Sequence, residues 1–140
     1  MADESGDKSR VRNVTRGEAL VFLENARESA RAVTAALARD DWHVASQEAI
    51  LGTISANDAL LGLKHGIVSE SLNHRDAIGL LRERVTSEEG KKHSALFTRM
   101  LNKKKLVMYE GRSIGGTEAR LIAGDAKTFL AWVEEETKDL

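Results

Sequence analysis

The segment Trp42–His65, WHVASQEAILGTISANDALLGLKH, decides how the rest of the chain is read. On a 3.6-residue period, Trp42, Ala45, Ala49, Gly52, Ala56, Ala59, Leu60 and Leu63 form one stripe. Ile50, Leu51, Ile54 and Leu61 form a second. A helix apolar on two faces must be covered from two sides, which makes this segment the expected central helix of a bundle. The second stripe suits either a neighbouring helix or another copy of the protein. Alanines 45, 49, 56 and 59 with Gly52 let a partner helix come close. Gly52 costs about 1 kcal/mol of helix propensity relative to Ala, so packing is expected to have won there.

Working outward, Thr15 and Glu18 have capping-box spacing, and Ala19, Phe22, Leu23, Ala26, Ala30, Val33 and Leu37 fall on one face. The first helix is thus predicted over Arg16–Ala38, with Asp40 and Asp41 capping the central one. Residues 1–14 are polar and aperiodic and are expected to be a disordered arm ahead of a single domain over 15–137. After Gly66, residues 67–72 read as a short polar connection and Asn73 as the cap of a third helix bearing Ala77, Ile78, Leu81 and Val85. A fourth helix is predicted over Lys91–Tyr109 with Leu96, Phe97, Met100, Leu101, Val107 and Met108 inward. Thr117 is the expected cap of a fifth, carrying Ala119, Ile122, Ala126, Phe129 and Val133, and the acidic end EEETKDL is expected to fray. The sum is an all-α, up-and-down bundle of about five helices.

Composition agrees with a soluble globular fold: 140 residues, 41% hydrophobic, 31% charged, no proline and no cysteine. No disulfide or thiolate metal site can form, and the four histidines, His43, His65, His74 and His93, show no ligand spacing, so no metal or cofactor is expected. No apolar run is long enough to span a membrane and the polar start is no signal peptide, which points to a cytoplasmic protein. A net charge of −1 excludes a globally basic nucleic-acid binder but permits a local basic patch.

Such a patch runs from Lys91 to Arg112, where seven Lys or Arg face a single acid, Glu110. Cations there favour the negative end of a helix dipole, and they also suit phosphate. Lys104 falls inside the apolar stripe, so it must snorkel, pair with an acid such as Asp58, or face a groove. GRSIGGT, residues 111–117, lacks the spacing and the lysine of a phosphate loop and reads as a turn and cap, with free N–H groups beside Arg112.

The order of ARESARAVTAALARDDWHVASQEAILGTISANDALLGLKHG, then NHRDAIGLL, then LNKKKLVMYEG before a last helix resembles the HEPN domain family over about Leu20 to Val133. That resemblance implies a small helical bundle, commonly a homodimer, associated with nucleotide or RNA binding. It also implies a toxin–antitoxin-related setting with a nucleotidyltransferase-type protein partner. The family's ribonucleases place an Arg about four to six residues before a His, one for the phosphate charge and one for proton transfer. Aligned on the closing tyrosine, Lys104 stands at the Arg position and Tyr109 at the His position, and no Arg here has a His at that spacing. A tyrosine with a pKa near ~10 is a poor base at neutral pH. The resemblance therefore implies a member without catalytic residues, in which Lys104, Lys105, Tyr109 and Arg112 contact phosphate or a base at a dimer groove. Tyr109 suits a stacking platform, or else a plug closing the core at a helix end. The rival reading is a structural protein–protein interaction module that spends the same apolar faces on protein contacts.

Overall fold

The computed structural model describes residues 11–70 and 74–140. It is a helical bundle with one two-stranded ribbon: β1 (Val11–Asn13), α1 (Arg16–Ala38), α2 (Trp42–His65), β2 (Ile67–Ser69), α3 (His74–Arg84), α4 (Glu88–Asn102), α5 (Lys104–Tyr109) and α6 (Gly116–Thr137). Among the described residues no helix is long and apolar enough to cross a membrane.

Thr15 Oγ1 accepts from the Glu18 N–H at 3.1 Å, and Glu18 Oε1 accepts from the Thr15 N–H at 2.8 Å. This reciprocal box starts α1 at the predicted residue. Asp40 turns the chain with φ 59°, and Asp41 takes the cap position of α2 without a side-chain cap bond. The expected Asp40–Asp41 capping is thus corrected: Asp41 Oδ2 accepts from Arg39 Nε at 2.9 Å instead. α2 ends at Gly66, whose φ of 69° is the left-handed conformation that only glycine adopts at little cost.

Gly66 also reverses the chain into a strand. β2 pairs antiparallel with β1 in the register Val11↔Ser69, Arg12↔Val68 and Asn13↔Ile67, and the Val14 N–H donates to Gly66 O at 2.9 Å. Two expectations are corrected here. The disordered arm does not extend over Val11–Val14, because Val14 is buried and the three residues before it are hydrogen-bonded to β2. Residues 1–10 lie outside the described residues. The polar connection begins instead as a strand, since Ile67 and Val68 are buried, β-branched and extended. The expected Asn73 cap also lies outside the described residues.

α2 touches α1 and α6 along its length and reaches α3, α4, α5 and β2 as well. It divides two apolar clusters. Leu23, Leu60, Leu81, Phe97, Phe129 and Trp132 form the first, and Val33, Ile50, Met100, Val107 and Ile122 the second, with Ile54 packed against both. The second stripe of α2 is therefore mostly spent inside the bundle: Ile50 and Leu61 are fully buried, and Leu51 is 37% exposed.

The predicted fourth helix differs at both ends. Ser87 Oγ accepts from the Gly90 N–H at 3.0 Å and starts α4 at Glu88, three residues before Lys91. The helix then breaks at Lys103, whose N–H reaches back to Met100 O and Leu101 O, and resumes as α5. Thr117 is not a cap, since α6 begins at Gly116 after an extended Gly115. Nor does the acidic end fray. Glu136 accepts from Lys64 Nζ at 2.6 Å, Thr137 is buried, and Leu140 O accepts from Arg16 Nη2 at 2.6 Å, which ties the C-terminus to the start of α1.

Candidate functional site

The break at Lys103 decides what the basic stretch presents. Met100 and Leu101 are buried before it and Val107 after it, so both helical pieces stay anchored while three consecutive lysines occupy the junction. Lys103 and Lys104 are half-buried and Lys105 is exposed. Among the described residues none of the three has an ion pair or a hydrogen bond from its ammonium group. Lys104 is half-buried on α5, which packs against α2, and a lysine so placed without an acid partner among the described residues meets the condition for snorkelling.

Of the other four cations of the stretch, Lys92 is exposed and has no ion pair or hydrogen bond among the described residues, whereas the remaining three meet acids. Lys91 approaches Glu88 at 3.8 Å, Arg99 approaches Asp125 at 3.5 Å, and Arg112 donates to both oxygens of Glu118 at 3.0 and 3.1 Å. The acids come from before the stretch or from α6, so the excess of positive charge counted in sequence is reduced to Lys92 and the consecutive run Lys103–Lys105. Both bonds come from Nη2, which holds one end of the Arg112 guanidinium at the start of α6.

Tyr109 ends α5 and is 72% exposed. It is not a plug closing the core, so the plug reading is corrected, and its ring stands open to a planar partner. Gly111, at φ 63°, makes the turn between Tyr109 and Arg112. The glycine turn offers little room for an anion: Glu118 stands in the first turn of α6, and a Cβ at Gly116 would lie 3.1 Å from the Trp42 ring and 2.9 Å from Arg120 Nη1.

Asp58 does not satisfy Lys104. Its electrostatic neighbour is Arg12 on β1, and burial, the larger effect, pushes its pKa up to about 7 while Arg12 opposes the rise. Asn57, next to it, is buried with Oδ1 lacking a partner among the described residues. Among those residues no cluster of three or more His, Asp or Glu is arranged to hold a metal ion. His93 is buried against Trp132 rather than offered to a ligand.

No protein-family model matches this chain, and no curated protein matches it either. The geometry alone therefore bears on function. One feature of that geometry has no counterpart in the sequence pattern: a groove between α1 and α6 that none of Lys104, Lys105, Tyr109 and Arg112 lines. Alanines 26, 30, 123 and 131 with Gly124 are its only trace there, and small residues on helices say nothing about how far apart the helices will lie.

Proposed function

We propose that this chain is a HEPN-like helical protein without nuclease chemistry that binds nucleotide or RNA phosphate at the α4–α5 junction. The observation that carries this reading is the run Lys103–Lys105, three cations without a partner among the described residues, on the element that ends in the exposed Tyr109. Ammonium groups neutralise phosphates with little demand on angle, and an open phenol ring stacks on a base of any sequence. Arg112, oriented by Glu118, adds a planar fork nearby in the chain. Tyr109 in place of a histidine removes the group that would move a proton near neutral pH, so retention rather than cleavage of RNA follows from this reading. A homodimer would bring two such junctions into one groove, and a nucleotidyltransferase-type partner is the protein expected beside it.

A second reading has one observation in its favour. Val44 and Leu51, seven residues apart on α2, are 45% and 37% exposed and continue the second apolar stripe outward. They suit a protein contact, in line with an interaction module.

The test is fluorescence anisotropy with a labelled single-stranded RNA across a salt series, on the wild type and on the triple Lys103→Ala, Lys104→Ala, Lys105→Ala variant. Single-strand binding loses about 0.7 in logarithmic salt slope per phosphate contact removed, so the triple variant should bind more weakly with a slope shallower by about 2. Tyr109→Ala should weaken binding without changing the slope. Wild-type affinity in a folded triple variant would remove the assignment.

A further inference from the structure

α1 and α6 both pack along α2 but touch each other only slightly, and the gap between them is a groove of about 570 Å³. Ala26, Ala49, Gly52 and Ala123 line it with Val33 and Leu130. That volume and that apolar lining fall in the range of small-molecule sites, about 300–1,000 Å³. One end of the groove is bridged. Arg27 Nε on α1 donates to Glu134 Oε2 on α6 at 2.8 Å, a crossbar over one end. Towards the other, Arg120 lies over the Trp42 ring at 4.8 Å from its centroid. A partner helix running through would have to break the crossbar, whereas a short molecule would not.

Charge selects the molecule. Glu134 is offset by Arg27, and Glu48 accepts a hydrogen bond from Ser29. Lys127, on the α6 bank, has no ion pair or hydrogen bond among the described residues, and Arg120, two turns earlier, meets only the face of Trp42. Within the lining Arg120 and Lys127 stand against Glu48 and Glu134, and with Glu134 taken up by Arg27 from outside the lining, the two cations without an ion pair among the described residues lie on one bank above an apolar floor. We propose that this groove binds a small amphipathic anion, a single apolar chain or ring bearing one carboxylate or phosphate head, with the head at Lys127 and Arg120. The site is independent of the phosphate reading at the α4–α5 junction.

Gly124 supplies the control. A Cβ built there meets nothing within 4 Å, so a leucine fits the helix and fills the groove rather than the core. The full-length protein is titrated with decanoate, decyl phosphate, decyltrimethylammonium and decanol below their micellar concentrations, followed by calorimetry and by tryptophan emission. One of the two anions should bind with one-to-one stoichiometry at least tenfold more tightly than the cation or the alcohol, and the stronger of the two identifies the head group. Lys127→Gln should weaken that anion about tenfold, and Gly124→Leu should remove binding while the melting temperature holds or rises. Absence of saturable binding by both anions, equal affinity for the cationic chain, or binding that survives Gly124→Leu would each overturn the proposal.

Discussion

The imidazole of His93 lies flat on the indole of Trp132, ring centroids 4.5 Å apart and planes within 5°. His93 Nδ1 is 2.7 Å from Glu89 O and so carries the proton that the carbonyl accepts, which fixes the ring from its own helix while α6 supplies the stacking face. This histidine joins α4 to α6 through the larger apolar cluster. His93→Ala removes a buried ring and its stack, and should cost about 2–4 kcal/mol. His93→Phe keeps the stack and gives up only the hydrogen bond, so its loss should stay near ~1 kcal/mol. Urea unfolding of the two variants checks the order, and equal losses would show that stacking contributes little.

Two glycines of α2 should respond to alanine in one direction and a glycine of α3 in the other. A Cβ at Gly62 would lie 2.7 Å from Ala19 Cβ, and one at Gly52 would lie 2.8 Å from Ser29 Cβ. Both positions set how closely α1 approaches α2, so Gly62→Ala and Gly52→Ala should destabilise by about 1–3 kcal/mol through overpacking. Gly79, in the middle of α3, has nothing within 4 Å of a built Cβ. Gly79→Ala should therefore stabilise by up to about 1 kcal/mol, the ordinary helix-propensity gain. Melting temperatures of the three variants read the signs directly.

Gly52 and Gly62 also mark how far a linear sequence discloses its fold. α1 and α2 lie between the predicted residues because their signals are local: a Thr15–Glu18 box, a glycine at position 66, and stripes long enough to average out exceptions. The propensity cost of Gly52 is visible in the sequence, whereas its cause is the contact with Ser29 on another helix. The ribbon is not legible, because three-residue strands have no measurable period and the pairing of Val11 with Ser69 joins segments separated by two helices. The break at Lys103 carries neither proline nor glycine and follows from anchoring Leu101 and Val107 at once. At the site, counting charge finds the lysines. Which of the cations remain unpaired depends on Glu88, Asp125 and Glu118, acids that lie outside the counted stretch.

The box at Thr15 should be worth a measurable amount on its own. Thr15→Ala removes the acceptor for the Glu18 N–H, and the start of α1 also receives β1 through Val14 and the C-terminus through Arg16. A loss of about 1 kcal/mol is expected from the cap. Because three segments meet there, amide exchange should rise at Val14 and across the first turn of α1 while the centre of α2 is unaffected. Uniform acceleration over the whole chain would instead mean that the end of α1 opens only with global unfolding.

Asp58 gives the pH dependence its sign. Burial raises its folded-state pKa to about 7 from the unfolded value of 3.8, with Arg12 opposing the rise. Between those values the folded protein holds a proton that the unfolded chain has released, so this group's contribution to stability falls as pH rises from about 4 to about 7 and is level above. At 1.36 kcal/mol per unit the ceiling on the loss is about 4 kcal/mol. Asp58→Asn cannot ionise. It should match the wild type near pH 4 and exceed it by about 1–3 kcal/mol at pH 8, with the difference opening across that window. Arg12→Ala removes the opposing charge and should extend the falling limb to higher pH. Denaturant unfolding from pH 4 to 9 measures both, and a wild-type-minus-variant difference that stays flat with pH would mean that the carboxyl at Asp58 is ionised in the folded state throughout.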